Sequence, residues 1–446
     1  MPGMPTFKPT LCVPSHFRRL CADHLQIIRL RELSRADDKI LRTQRRSERS
    51  VIQFLRAATE AGTVSWKAIM QTRIAQVDVI PIRAPRKESV RSGLNPNDPV
   101  SASEFGVIRV LTESGLEGLG EISITFPRIG HSLCHAAATL IAPALIGRDC
   151  LARPQALAEI DRLLSGELSA QYLRAAFEMA LLDLAGKHYG VPVYELLGGR
   201  MRERVPLAWG VYQKSPDEMA ADAEAGVRAG FHAIKLKVGR ALDDDLAAVR
   251  AVAAAVGDIP LRLDANGAWP SVAEAARAIE ALAAAAQIAW IEQPLPRYDL
   301  EGMRLLRQRI SVPVMADESC QTLRDAYDLA RAGAADVFNV YVVEAGGMEA
   351  AGAIFAFATA AGIPCILGSQ AEMGIGTAAC AHLGVAVPNL PYACETFGPL
   401  RYRRDIVASE IPIAGGFLTP PEGPGLGVSL DWDAVDEMRV RSSVPG

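Results

Sequence analysis

The sequence predicts an α/β protein whose larger part is a barrel of parallel strands, with a smaller α+β domain before it. Three observations carry this. Beyond Gly199, short apolar strands alternate with Ala-rich helices at a steady period; several of these strands end in charge; and between Met70 and Gly199 strands come first and helices after.

The chain has 446 residues, half of them apolar. That is enough for more than one domain, one of which can be a barrel of about 250 residues. A net charge of −4 sets up no field that would gather nucleic acid or an anionic membrane surface. No run of about 18 uncharged apolar residues is present to span a bilayer. The 8 cysteines are scattered, with no CxxC pair and no His at zinc-ligand spacing. Reduced thiols in a cytoplasmic enzyme of small-molecule metabolism are therefore expected.

The first 70 residues differ from the rest, with 13 Lys+Arg against 6 Asp+Glu, a net +7 that leaves −11 for residues 71–446. They lack the apolar core of a secretory signal, and their acidic residues argue against a transit peptide. IIRLRELSRADDKILRTQRRSERSVIQFL suits a solvated, loosely amphipathic helix. Residues 1–69 are thus an extension without a defined fold, and Met70 is a candidate natural start.

From Met70, RIAQVDVIPIRAP and FGVIRVLTESGLEGLGEI read as strands, the second segment turning at Glu113 to Gly115. Between them, KESVRSGLNPNDPVSASE is polar and rich in turn formers, a mobile loop by composition. Helices are expected around Ala136 to Leu145, Arg153 to Leu164 and Ser169 to His188, the last with Ser169 as N-cap and Gly190 as stop. Strands followed by helices make residues 70–199 an α+β domain.

Residues 200–400 hold the strand candidates VPLAWGVY, HAIKLKV, PLRLDAN, AWIEQP, PVMADE, VFNVYVV, PCILGS and YACE. Markers near their ends, Tyr212, Lys237, Asp264, Glu292, Asp317, Tyr341, Ser369 and Glu395, are 25, 27, 28, 25, 24, 28 and 26 residues apart. A strand-plus-helix period held through eight strands implies a closed parallel barrel. An open doubly wound sheet is the alternative, but no GxGxxG follows its first strand.

Strands covered by helices on one face and by each other on the inside should be apolar throughout. Here HAIKLKV puts Lys235 and Lys237 on one face, LRLDAN ends in Asp264 and Asn266, WIEQP in Glu292, and VMADE in Asp317 and Glu318. These ends form the C-terminal rim, where barrel enzymes keep their chemistry. Asp264, Glu292 and Asp317, on three adjacent strands, would repel one another unless a cation compensates. Each alone is equally explained by capping or an ion pair; three at one depth are not. A hard divalent ion such as Mg²⁺ fits an all-oxygen set. The paired ammonium groups of Lys235 and Lys237, beside a metal, should disfavour each other's charge, lowering the pKa of at least one. Metal plus lysine suits removal of a proton alpha to a carboxylate, with the enediolate charge neutralised as it develops.

These residues resemble the enolase superfamily, in particular its muconate-lactonizing (muconate cycloisomerase) subgroup. The resemblance rests on ALLDLAGKHYGVPVYELLGG (180–199), KLK (235–237), DAN (264–266), EQP (292–294), ADES (316–319), the glycine pair 346–347, GSQAEMGIGTAACAHL (368–383) and ETFGPL (395–400). It runs from about Met70 to the C-terminus and implies a (β/α)7β barrel. A cap of N-terminal strands and helices, completed by the C-terminal segment 401–446, would close it. It assigns Asp264, Glu292 and Asp317 to Mg²⁺, with Mn²⁺ as a possible substitute, and Lys237 to acid/base work. Lys235 would bind the substrate carboxylate and tune Lys237. Asn266, Glu318, Ser369 and Glu395 are candidate substrate-binding residues on the same rim. Loops 86–104 and 122–132 would select a small carboxylate substrate, Arg91 and two asparagines in the first allowing a second carboxylate or hydroxyls. A homo-oligomer is also implied. ILGSQAE has no His at the seventh strand end, which separates the chain from the mandelate-racemase subgroup.

One departure bears on the reaction. The subgroup's second catalytic lysine stands five residues before the glycine pair, and here that position is Tyr341. A phenol is a poor base at neutral pH but a workable hydrogen-bond donor or acid; a tyrosine that simply packs is the plainer alternative. Racemases use a base on each face. The order of expectation is therefore a cycloisomerase-like lyase, then a sugar-acid or hydroxy-amino-acid dehydratase, then a racemase or epimerase. Two other classes stay open: an aldolase with Lys237 as Schiff-base lysine, and a non-catalytic binding protein.

Overall fold

The computed structural model describes residues 72–91, 99–124, 129–164 and 170–440. The extension 1–69, the expected Ser169 cap, and positions 92–98 and 125–128 of the two substrate-selecting loops lie outside the described residues.

An antiparallel sheet comes first, ordered β1 (Ile74–Val90), β2 (Val100–Thr112), β3 (Glu117–Ile124). The turn between β2 and β3 falls where expected, with Gly115 at φ 82 supplying its left-handed residue. Helix α1 (Gly130–Ala136) begins earlier than the expected Ala136 and passes through a π turn at Ala137–Ile141 into α2 (Ala142–Leu145). Helices α3 (Arg153–Leu163), α4 (Ala170–Tyr189) and the single turn α5 (Val193–Leu196) follow. Leu173, Ala175 to Phe177, Met179 to Leu182, Leu184 and Ala185 of α4 are all buried, because the helix lies on β3 and also meets the barrel. A Cβ at Gly120 on β3 would run into the Ala176 carbonyl oxygen, so only glycine admits the helix this close.

The second sheet is the barrel. Seven parallel strands lie in chain order: β5 (Trp209–Val211), β6 (Ile234–Lys237), β7 (Leu261–Asp264), β8 (Ile288–Glu292), β9 (Val314–Ala316), β10 (Val337–Val340) and β11 (Cys365–Leu367). The helices between them start on local signals. Ser215 and Glu218 form a capping box at α6 (Pro216–Arg228), Ser271 caps α8 (Val272–Ala285), and Thr322 with Asp325 boxes α10 (Leu323–Ala332). The others are α7 (Leu242–Val256), α9 (Leu300–Arg309), the turn α11 (Val342–Ala345), α12 (Met348–Ala361) and α13 (Gly374–Ala386).

Two expected strands are modified. VPLAWGVY is not one strand: β4 (Val205–Pro206) pairs with the tail strand β13 (Phe417–Leu418), itself paired with β12 (Ile413–Ala414), and only β5 joins the barrel. The eighth strand shrinks to the neighbourhood of Cys394. Its N–H donates to Pro206 O at 2.7 Å, its carbonyl accepts from Ala208 N at 2.8 Å, and Glu395 N donates to Leu367 O at 2.9 Å. Those bonds reach both edges of the sheet and close it.

The last helix, α14 (Trp432–Met438), packs on β1, and Arg439 bridges Ile82. The fold is thus a (β/α)7β barrel under an α+β cap, with the tail strands on the barrel and α14 on the cap sheet. All six described cysteines are free and buried. No described helix is long and apolar enough to cross a membrane.

Candidate active site

Register brings the charged strand ends together. Lys237 on β6 pairs with Asp264 on β7, which pairs with Glu292 on β8; Asp317 follows the last residue of β9. One oxygen from each of Asp264, Glu292 and Asp317 lies within 4.8 Å of the others, and all three residues are buried.

Lys235 reaches inward among them. Its Nζ lies 2.7 Å from Glu292 Oε1, 2.5 Å from Glu395 Oε2 and 2.9 Å from Asp264 Oδ2. Lys237 Nζ donates to Asp264 Oδ2 at 2.5 Å and to Asn266 Oδ1 at 2.9 Å. Asn266 takes a left-handed φ of 46, which asparagine tolerates better than most residues. That turn lets its N–H donate to Asp264 Oδ1 at 2.9 Å while Nδ2 donates to Glu318 Oε1 at 3.0 Å. Gln293 holds the next turn: its Oε1 accepts from the backbone N–H of Asp317 and of Ser319, each at 3.1 Å, which fixes the segment carrying Asp317.

The electrostatics are unbalanced. Among the described residues, Asp264, Glu292, Asp317, Glu318 and Glu395 stand against the ammonium groups of Lys235 and Lys237, with the Arg262 guanidinium near Glu395 and Glu292, and Glu292 Oε2, Glu318 Oε2 and Glu395 Oε1 are buried without a hydrogen-bond partner. Burial acts to raise Asp264, but Lys235 and Lys237 overcome it and hold the carboxyl well below its ordinary value. Glu292 is pushed up to about 8 by burial and by Asp264 and Glu395. Asp317 is raised by burial, Glu318 and Glu292. Surplus negative charge and orphaned oxygens in a dry all-oxygen site are what a hard divalent cation would meet. The residues present fit such an ion, with Asp264, Glu292 and Asp317 as its holders.

Without a cation the lysine pair is held charged by the carboxylates around it. Burial and the neighbouring ammonium do depress Lys237, but Asp264 and Glu292 outweigh them, and its pKa is raised. Lys235 is raised further, because Asp264, Glu292 and Glu395 all surround it. The carboxylates, not the second lysine, set the charge state of this protein without a cation.

Tyr341 lies just past β10, as the residue before α11, and is buried. Its hydroxyl donates to Asp317 Oδ2 at 3.3 Å, and burial together with Asp317 raises its pKa well above the ordinary phenol value. A Cβ at Gly368 would strike the Tyr341 ring, so that glycine makes room for it. Ser369 is less central. Its hydroxyl donates to Glu372 and accepts from Ala371 N at 2.8 Å, closing its own loop.

Some polar residues of this rim carry no sequence signal. Glu344, inside the VVEAGG turn, is buried and pushed up to about 7 by burial, with Gln370 opposing and Glu318 adding to the shift. It accepts from Gln370 Nε2 at 2.6 Å, from Tyr172 of the cap at 3.2 Å and from Gln321 at 3.3 Å. Gln293 reads in the sequence only as the middle of EQP.

Comparison with known proteins fits this geometry. Residues 78–198 match the mandelate racemase / muconate lactonizing enzyme N-terminal domain, and residues 218–434 match the enolase C-terminal domain-like family. The chain belongs to the mandelate racemase / muconate lactonizing enzyme family. Among its relatives, the L-Ala-D/L-Glu epimerase of Bacillus subtilis (strain 168) is 34% identical over 78% of this chain and 93% of its own. Muconate cycloisomerase 1 of Rhodococcus opacus is 34% identical over 80% of this chain and 94% of its own. The muconate lactonizing enzyme from Pseudomonas fluorescens, solved with muconolactone, superposes with a TM-score of 0.78 at 34% identity, covering 83% of this chain and all of the other. The dipeptide epimerase from Enterococcus faecalis V583, solved with Mg and a dipeptide, gives 0.73 at 32%, covering 80% of this chain and 99% of the other. This chain is an enzyme of the same superfamily of isomerases, cycloisomerases and epimerases.

Proposed function

We propose that the protein is a Mg²⁺-dependent enzyme that moves a proton at the carbon alpha to a carboxylate, with Lys237 as the proton-transferring group, and that its reaction is a cycloisomerisation of the muconate type. The observation that carries this is the register that sets Lys237 beside Asp264 and Asp264 beside Glu292, with Asp317 at the end of the strand after Glu292's. A divalent cation held by the three carboxyl groups supplies the positive charge that stabilises the substrate carboxylate as charge builds on it. Lys235, tied to Glu292, Glu395 and Asp264, cannot swing and presents a fixed positive charge to the same carboxylate. In ring closure a distal carboxylate oxygen bonds to the beta carbon of a conjugated alkene, the displaced electron pair passes to the alpha carbon, and Lys237 delivers its proton there. In the reverse direction Lys237 takes that proton and the C–O bond breaks.

Tyr341 favours chemistry on one face. A phenol whose pKa is raised is not a base at neutral pH. Epimerisation is the second reading, favoured by the dipeptide epimerases among the relatives.

The test is turnover of cis,cis-muconate with Mg²⁺ in D₂O, followed by NMR. A lactone carrying one deuterium at a single alpha position is expected. EDTA should abolish it, Mg²⁺ should restore it, and Lys237→Ala should slow it about 100-fold or more. Inversion of a dipeptide with exchange of its alpha proton would replace the cycloisomerase reading with the epimerase one. EDTA-insensitive turnover with borohydride trapping of Lys237 would sink the proton-transfer mechanism itself.

A further inference from the structure

The turn that carries Tyr341 is gripped from outside the barrel. It follows β10, which lies across the barrel from Lys237 on β6. Tyr341 stands just before the single turn of α11, where Ala345 N donates to Tyr341 O at 3.0 Å and Gly347 N to Val342 O at 2.9 Å. Cap helix α4 holds this turn at three successive points. The Tyr172 hydroxyl donates to Glu344 Oε1 at 3.2 Å, Arg174 Nη1 donates to Gly346 O, and the Glu178 carboxylate accepts from Met348 N and Glu349 N. Gly347, at φ 128, leaves room for that carboxylate, which a Cβ there would strike.

Glu344 is where this grip meets the rim. It is 5% exposed, and its donors come from three separate segments: Tyr172 of the cap, Gln321 shortly after Asp317, and Gln370 just past β11. All three are neutral, and Asp317 and Glu318 are near enough to repel its charge. A buried carboxyl in such company is a poor device for stability alone. Its use is geometric: a carboxyl group offers two oxygens to donors where an amide offers one, so it can take all three at once. That fixes α11 against the strands on either side. The Tyr341 hydroxyl, at the head of the same turn, then meets Asp317 Oδ2 at 3.3 Å.

We propose that Tyr172 and Glu344 are positioning residues for the metal-holding rim: the cap, through Tyr172, fixes Glu344 and the α11 turn, and the turn so fixed sets the Tyr341 hydroxyl on Asp317. The proposal rests on Asp264, Glu292 and Asp317 being the holders of Mg²⁺, and it adds a route by which the cap governs metal affinity. Among the described residues Tyr172 is hydrogen-bonded to none of those three carboxyl groups, so its effect on them passes through Glu344.

A double-mutant cycle read by Mg²⁺ calorimetry tests this. Tyr172→Phe removes one donor from Glu344 and changes no charge. It should weaken Mg²⁺ binding about 4-fold, less than the loss of about 10-fold expected of Tyr341→Phe, which acts one step nearer the metal. The double variant should bind at most about 1.5-fold more weakly than Tyr341→Phe alone, because the route then ends at a phenyl ring. Hydrogen exchange on the metal-free proteins locates the change: amides of residues 341–349 should exchange faster in Tyr172→Phe, and those of β6 and β7 at the wild-type rate. Unchanged Mg²⁺ affinity in Tyr172→Phe overturns the proposal, as do losses that multiply in the double variant or faster exchange throughout the barrel. In each of those cases Mg²⁺ binding by the wild-type protein leaves the metal-holding rim standing. A wild-type protein that binds no Mg²⁺ removes the rim's assignment and this route with it.

Discussion

Glu121 and Glu292 are both fully buried and both pushed up to about 8, yet their surroundings are opposite. Glu121 lies on β3, at the seam between cap and barrel. It accepts from Met373 N at 2.8 Å and Gly376 N at 2.9 Å, at the start of α13, and from Ser123 Oγ at 2.5 Å. Two more seam carboxyls behave alike: Glu178 accepts from Met348 N and Glu349 N at the start of α12, and Asp183 from Leu119 N and Leu426 N. Backbone dipoles satisfy them, helix starts favour the charge of Glu121 and Glu178, and Lys187 Nζ at 2.8 Å pairs with Asp183. Glu292 is instead pressed by Asp264 and Glu395 and keeps an orphaned oxygen. Burial and a raised pKa therefore do not distinguish a reactive site from a structural latch. Like charges crowded together, with unmet oxygens, do.

The sharpest way to break this contrast is to neutralise one member of each set. Glu292→Gln should lower turnover about 100-fold or more and abolish Mg²⁺ binding measured by calorimetry, because a metal-holding carboxylate and its charge are removed together. Glu121→Gln should leave Mg²⁺ affinity within about 2-fold, since Glu121 is not one of the three clustered carboxylates and its donors are Met373 N, Gly376 N and Ser123 Oγ. Equal loss of Mg²⁺ affinity in both would erase the distinction.

Tyr341 belongs to the rim set by contact, and its removal should have an intermediate effect. Tyr341→Phe deletes a hydrogen bond to Asp317 Oδ2 but keeps the ring that Gly368 accommodates. A loss of about 10-fold in both turnover and Mg²⁺ affinity is expected of a residue that orients a metal-holding carboxylate. Near-normal values would reduce Tyr341 to packing. A much larger fall in turnover at unchanged Mg²⁺ affinity would make it a proton donor.

The contrast also explains what the sequence displayed and what it hid. Lys235, Lys237, Asp264, Glu292 and Asp317 were visible because charge interrupts strands that should be apolar, at the ends of four successive strand–helix units. The seam carboxyls were not. Glu121 sits within a strand between Gly120 and Ile122, and its partner Met373 is 252 residues away. Arg86 reads as one more base in RAPRKESV until Tyr402, 316 residues on, buries it. The eighth strand was over-read, because Cys394 on one edge and Glu395 on the other suffice to bridge the sheet and need no longer segment. VPLAWGVY was read as one strand because its apolar pattern continues through Leu207, and only pairing with Phe417–Leu418 reveals the break. Glu395, which arrives from the closing segment to meet Lys235, carried no such signal, because YACE showed only a strand end.

The smallest expected effect is on stability against pH, and it separates the two sets without any turnover. Between its ordinary value of 4.5 and about 8, folded Glu121 keeps a proton that the unfolded chain has lost. Unfolding then releases a proton, so stability is fullest below pH 4.5 and falls as pH rises through the window, by at most about 1.4 kcal/mol per pH unit for this one group, before levelling above about 8. Glu178, pushed up to about 7 by burial, adds a slope of the same sign. Glu121→Gln removes one titrating group, so its melting temperature should fall less than the wild type's between pH 5 and 8. Glu292 contributes a similar slope, but a cation competes with its proton. Saturating Mg²⁺ should therefore remove the rim's share of the pH dependence and leave the share of Glu121, which lies outside the carboxylate cluster. A wild-type slope wholly abolished by Mg²⁺ would mean that the seam carboxyls are already ionised, and that backbone N–H groups outweigh burial there.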